Sequence, residues 1–91
     1  MDTIGILGFS AAILTTLSFV PQVYKTLSTK STAGISLVMY SLFVVGVTGW
    51  LLYGILRFDL PVIIANAITS ALAAIVLVYK IVNVLKKGEK P

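Results

Sequence analysis

The sequence predicts an all-α membrane protein, a bundle of three transmembrane helices forming one domain over residues 1–91, and three observations support this. First, the composition is 58% hydrophobic and only 11% charged over 91 residues, whereas a water-soluble domain carries about a quarter charged residues. Second, the few charges cluster so as to leave three uncharged stretches: Thr3–Tyr24 of 22 residues, Ser31–Leu56 of 26 and Leu60–Tyr79 of 20. A helix rising ~1.5 Å per residue crosses ~30 Å of hydrocarbon in each. Third, none of these stretches alternates polar and apolar residues as the strands of a barrel do, and lipid offers no other way to satisfy a backbone amide.

The first helix is expected over about residues 3–26. It starts after Asp2 rather than after a basic segment, and its apolar run is too long for a cleaved signal, so it is expected to be retained. Pro21 falls late in it and removes the amide that would bond the Leu17 carbonyl, which marks a hinge. A proline tolerated near a helix end is the equal reading. The Gln22 carboxamide is placed to bond backbone groups freed by the proline, and Ser18, Thr15, Ala11 and Gly8 extend from it along one small or polar face.

The second helix, about 33–57, carries the most informative pattern. Met39, Phe43, Gly46, Trp50, Tyr53 and Arg57 recur at alternating steps of four and three, so at ~100° per residue they stay within roughly 40° of one direction over the depth of the bilayer. The stripe mixes bulky, aromatic and charged groups, unlike Leu37, Val44, Leu51 and Leu52, which suit lipid; the stripe is therefore expected to look inward. Tyr24, Tyr40 and Tyr79 lie near one membrane surface and suit an interfacial belt. The third helix, about 60–85, is rich in small residues (Ala65, Ala67, Ser70, Ala71, Ala73, Ala74). With Gly46, Gly49 and Gly54 of the second, these allow close backbone approach, within one protomer or between two. The tail 86–91 reads as a solvated charge run.

The charges orient the bundle and exclude several chemistries. Lys25, Lys30, Lys80, Lys86, Lys87 and Lys90 gather at one end and Arg57 alone at the other, so the positive-inside bias puts the N-terminus and the Arg57–Pro61 turn outside and the tail in the cytoplasm. The formal charge of +4 and mean hydropathy of +1.06 describe a membrane protein, with no nucleic acid among its expected partners. Cysteine and histidine are absent and Asp and Glu number three. No metal site, cofactor, thiol nucleophile or catalytic base is therefore expected, and the chain is not expected to be an enzyme.

A candidate binding site follows from depth. Trp50 lies seven residues before Arg57 and Asn66 seven after Asp59, so both sit about 10 Å below the same surface on consecutive antiparallel helices. A sugar suits such a pair: its C–H face stacks on the indole, and its hydroxyls donate to and accept from the carboxamide. Hydrogen bonding between helices is the other role open to Asn66.

Pro21-Gln22 late in a first helix, Trp50 in a second and Asn66 in a third resemble the SemiSWEET sugar transporters of bacteria, half-length relatives of the SWEET transporters within the PQ-loop superfamily. The resemblance covers nearly the whole chain. It implies a 1-3-2 arrangement, with the third helix packed between the first two, and a parallel homodimer in the bacterial inner membrane. It further implies a sugar held between Trp50 and Asn66 of both chains. Tyr53, Arg57 and Asp59 would form an outer gate, Met39 and Phe43 an inner gate, and Pro21 with Gln22 the hinge. Arg57 and Asp59, two residues apart, cannot pair on one helical face, whereas a two-fold axis would let each meet the other's copy.

The function expected is facilitated diffusion of a mono- or disaccharide of the glucose or sucrose class by alternating access. No ionisable group lies inside the three uncharged stretches, which argues against proton coupling. Two alternatives stay open at this point: a carrier of another small solute such as an amino acid or carboxylate, and a holin-like lesion or assembly protein.

Overall fold

The computed structural model describes residues 2–91. Three helices make it up, α1 (Thr3–Thr29), α2 (Leu37–Arg57) and α3 (Leu60–Lys87), each long and apolar enough to cross a membrane. Each starts on a side chain that accepts an orphan amide. Asp2 accepts from the Gly5 N–H at 2.8 Å, Ser36 from Met39 at 3.2 Å, and Asp59 from Val62 at 3.4 Å.

These caps and their counterparts shift the expected boundaries. α1 runs three residues further than expected, to Thr29, where Lys30 turns into the left-handed region (φ 56°) and its amide closes on the Thr26 carbonyl at 2.7 Å. α2 begins at Leu37 rather than near 33, because Ser36 is still extended and caps it. α3 continues two residues past 85 and ends at Gly88 (φ 71°). Lys86, Lys87 and Lys90 are exposed, as a solvated charge run requires, but Glu89 is half-buried, and beyond Lys87 the backbone folds back onto the bundle.

α3 lies between the other two, packing along both α1 and α2, while the backbones of α1 and α2 stay apart. This is the 1-3-2 order. The result is a thin slab with principal extents of 50 × 23 × 14 Å. Three seams with steps of three, four or seven meet at α3, the spacing that keeps one face of each helix toward its neighbour. They are Thr16, Val23 and Thr26 on α1; Tyr40, Val47 and Gly54 on α2; and Thr69, Ala73, Val76, Lys80 and Asn83 on α3. Ala73 and Val76 are fully buried and hold a core with Val23 and Tyr40, against which Phe19, Phe43 and Val44 pack.

Two sequence expectations change here. Val44 packs on this core rather than facing lipid. Tyr40 is 4% exposed and belongs to the core instead of an interfacial belt; Tyr24 is exposed, as such a belt requires.

The small residues divide by role. A Cβ on Gly54 would stand 2.8 Å from Val62 Cγ1 and 3.2 Å from the Ile63 amide nitrogen, so glycine there lets the α2–α3 turn close. Gly46 and Gly49 face open space.

At the basic end of the bundle the loop after α1, the start of α2 and residues 88–91 are joined by a polar cluster. Lys80, 1% exposed, donates to Glu89 Oε1 at 2.8 Å, the Lys90 carbonyl at 2.7 Å and the Thr32 carbonyl at 3.1 Å. Asn83 donates to the Lys30 carbonyl at 3.1 Å and Thr32 Oγ1 at 3.1 Å, with Glu89 Oε2 at 3.4 Å. The Thr32 hydroxyl in turn donates to Glu89 Oε1. Hydrogen bonds from Lys80 and then Thr32 hold the Glu89 carboxyl below its ordinary pKa of 4.5.

Gly54→Ala is expected to cost about 1–3 kcal/mol through overpacking against a stiff valine and backbone, read as a lower melting temperature in detergent. Gly46→Ala and Gly49→Ala are expected to stay within ~0.5 kcal/mol of the parent protomer. A second expectation follows from Glu89, whose pKa is depressed on folding. Its contribution is fully present above its unfolded value of 4.5 and is lost as pH falls through the lower folded value. The stability difference between the parent and Glu89→Gln should therefore be constant at neutral pH and vanish in acid, as followed by thermal melts across pH.

Candidate functional site

The six residues of the α2 stripe do fall on one face, and that face lies beside the seam that packs on α3, displaced from it by one residue: Met39 next to Tyr40, Gly46 next to Val47, Tyr53 next to Gly54. One residue is a turn of ~100°. Apart from Phe43, which packs on the core, the stripe therefore stays outside it, and Trp50 is 58% exposed. Its indole meets the Tyr53 ring edge-on at a centroid distance of 5.4 Å. With Gly46 and Gly49 these two rings line a groove of about 370 Å³. All its walls come from α2, and its far side is open.

Asn66 is half-buried on α3 and its amide donates to the Val62 carbonyl one turn back at 2.9 Å. It is not a wall of the Trp50 groove. Its carboxamide oxygen keeps its accepting capacity, and the bond to its own helix fixes the side chain's direction.

Toward the Arg57 end, Tyr53 and Arg57 are exposed. Asp59, half-buried, has one oxygen on the Val62 amide as the cap of α3. Among the described residues the only salt bridge is Lys80–Glu89 at 2.8 Å; Arg57 and Asp59 make none within the protomer. This follows from their positions, the last residue of one helix and the cap of the next.

Toward the basic end the stripe meets α1. Phe43 stacks on Phe19 at 5.3 Å with the rings 15° apart, and Tyr40 tilts against Phe43 at 6.1 Å. The Tyr40 hydroxyl donates to Gln22 Oε1. Met39, Phe43, Tyr40, Phe19 and Gln22 together line a hollow of about 210 Å³. Thus α1 and α2, whose backbones stay apart, are bridged by side chains over α3.

Pro21 lies inside the continuous α1 and is exposed. Gln22 does not turn back to the backbone groups freed by the proline, as the sequence suggested; its oxygen is engaged by α2. The hydroxyls of Thr15 and Ser18 bond carbonyls of their own helix, Ala11 at 3.0 Å and Thr15 at 2.6 Å. The proline is therefore adjacent to the residue that ties α1 to the basic end of the stripe.

Sequence reasoning missed Phe19 and Tyr40, and it missed the Thr32, Lys80, Asn83 and Glu89 cluster. A signal for the last existed: Lys80 and Asn83 continue the four-three spacing of Ala73 and Val76, which places a cation and an amide on a buried face where they need partners.

Tyr40→Phe removes the hydroxyl that engages Gln22 and leaves a half-buried carboxamide oxygen without its partner. The expected loss is about 1 kcal/mol, measured as reduced thermal stability, with Gln22→Leu in the same background adding little because both changes delete one bond.

Comparison with known proteins gives a consistent set of relatives. Residues 3–63 match the PQ loop repeat family. The chain is 52% identical over 87 residues to a sugar transporter SemiSWEET of Escherichia coli (strain UMEA 3162-1), covering 96% of this chain and 98% of the relative. It is 50% identical over 77 residues to the sugar transporter SemiSWEET of Leptospira biflexa serovar Patoc, covering 85% and 91%. The fold superposes on a crystal structure of SemiSWEET in the inward-open conformation with a TM-score of 0.88 at 51% identity, over 97% of this chain and 95% of that one. A crystal structure of a bacterial homologue of SWEET transporters matches with a TM-score of 0.79 at 36% identity, over 88% and 96%.

Proposed function

Because this multi-pass membrane chain belongs to the SemiSWEET group of the PQ-loop family, a family of transporters and not of enzymes, we propose that it carries a mono- or disaccharide down its gradient by alternating access as a parallel homodimer. One observation carries the reading: the groove of Gly46, Gly49, Trp50 and Tyr53 is built wholly on α2 and is open on its far side. A slab 14 Å thick encloses no path for a solute. A second copy related by a two-fold axis along the membrane normal supplies the missing wall and doubles every feature of the stripe.

In that arrangement the sugar's C–H faces stack on the two indoles, and the glycines leave room for its ring. Asn66 from each chain offers the carboxamide oxygen that its bond to Val62 leaves free. Tyr53, Arg57 and Asp59 close the outer side: Arg57 has no carboxylate of its own to pair with, and Asp59 of its partner is the complementary charge across the axis. Met39 and Phe43 close the inner side, where Phe43 is already backed by Phe19. Rocking about Pro21 moves Gln22, and Gln22 is joined to α2 through Tyr40, so a hinge in α1 reaches the inner gate through one hydrogen bond.

The orientation follows the lysines. Lys25, Lys30, Lys86, Lys87 and Lys90 at one end place it in the cytoplasm, with the N-terminus and the Arg57–Pro61 turn outside. The membrane is the bacterial inner membrane.

The test is uptake of radiolabelled glucose and sucrose into proteoliposomes. Saturable uptake accelerated by unlabelled sugar on the far side is expected, falling at least tenfold in Trp50→Ala and in Asn66→Ala while both variants remain folded. Nonsaturable leakage of unrelated solutes, indifferent to Trp50, would instead establish a lesion former. Saturable exchange of a carboxylate or amino acid with no sugar flux would establish a carrier of another solute.

A further inference from the structure

Lys80 takes no part in the groove or in either gate, yet it is the most completely enclosed charge in the molecule among the described residues, at 1% exposed. A cation inside a membrane helix is retained at a cost unless each of its donors is satisfied. All three are, and every acceptor comes from outside α3: the Thr32 carbonyl in the loop before α2, and Glu89 Oε1 and the Lys90 carbonyl in the segment after α3. Asn83, one turn further along the same face, repeats the pattern. It donates to the Lys30 carbonyl and to Thr32 Oγ1, both at 3.1 Å, and its own carbonyl accepts the Glu89 amide at 3.1 Å.

The segment then reaches α2 itself: the amide of Leu37, the first residue of that helix, donates to the Pro91 carbonyl at 2.9 Å. Met39 lies two residues beyond Leu37 and Phe43 six beyond. The α1–α2 loop, the first turn of α2 and the end of α3 are thus held as one body by Lys80, Asn83 and Glu89. Gly34 sits inside the held loop at φ 156°, a positive value that favours glycine. Elsewhere at this end, α1 and α2 meet through side chains, Phe19 on Phe43 and Gln22 on Tyr40.

We propose that Lys80 and Glu89 are positioning residues for the inner gate: their clamp makes the first turn of α2 move with α3, so that Met39 and Phe43 open and close as part of a rigid half rather than at the end of a loose helix. This rests on the transport reading for its consequence in flux, but the positioning itself is independent of substrate. Alternating access requires rigid halves. If the clamp is broken, motion at one end of α2 is no longer delivered to the other, and turnover falls while the sugar's own contacts, one end of a helix away, are intact.

The chain contains no cysteine, so Met39→Cys supplies a single thiol at the inner gate. Its modification rate by a membrane-impermeant maleimide is measured in proteoliposomes, in the parent and with Glu89→Gln added. Glu89→Gln is expected to raise that rate at least threefold. The double change Lys80→Gln with Glu89→Gln, which removes the stranded charge and keeps hydrogen-bonding groups, is expected to return it part of the way. In the cysteine-free chain, Glu89→Gln is expected to lower the maximal rate of sugar exchange at least fivefold with equilibrium sugar binding within twofold.

A labelling rate unchanged by Glu89→Gln overturns the proposal, whatever the substrate proves to be. Equal losses of binding and exchange also overturn it, because they indicate a general loss of structure. If the parent carries no sugar, the transport reading fails and the labelling result still decides the clamp. Should Glu89→Gln not fold, deletion of Gly88–Pro91 combined with Lys80→Gln is expected to give the same labelling increase, and an unchanged rate there overturns the proposal equally.

Discussion

Everything in this protomer is packed on α3. In lipid the exclusion of water supplies no drive between helices, so association depends on close backbone approach and on polar groups that find partners. α3 provides both along one seam, small and well-packed at Ala73 and Val76 and polar at Lys80 and Asn83. α1 and α2 each use it, and their backbones stay apart from one another. That backbone arrangement sets the molecule's shape: three helices with one central member make a slab, and a slab leaves a face of α2 open.

The free face is where most of the α2 stripe lies. Tyr40, Val47 and Gly54 commit one side of α2 to α3, and the residue before each belongs to the adjacent side. The packed seam and the stripe are thus separated by a single step along the helix, and the glycines show the division most plainly. Gly54 is required by the close turn, where a methyl group would meet Val62 at 2.8 Å, while Gly46 and Gly49 clear the space in front of Trp50. The two ends of the stripe differ as well. At the basic end it is backed by Phe19 and Gln22 of α1, whereas around Trp50 it has no wall from another helix. The stripe is thus backed by a second helix at one end only.

Much of this was legible from residue order. The charge positions delimited the three helices to within four residues at every end, and the four-three spacing of Met39 through Arg57 identified one face without coordinates. Where the reading slipped, the reason is physical. Ser36 moved the start of α2 because a capping side chain outranks the apolar run before it. Tyr40 was read as interfacial because a tyrosine near a membrane surface has that role by default, and only the Gln22 oxygen opposite it shows why it is buried. Residues 86–91 read as an exposed charge run, which holds except at Glu89, since nothing in their order reveals that Glu89 answers a lysine nine positions earlier.

The sequence by itself determined the class, the number of spans, the charge asymmetry between the two ends and the composition of the stripe, because these depend on one-dimensional patterns: run length, helical period and charge count. The tertiary structure alone decided which side of α2 is spent on packing, that Asn66 is bonded to its own helix and stands apart from the Trp50 groove, and that Lys80, Thr32, Asn83 and Glu89 form one cluster. Those outcomes depend on which faces meet when three helices are set side by side. A period of 3.6 residues states what shares a face; it does not state what that face will meet.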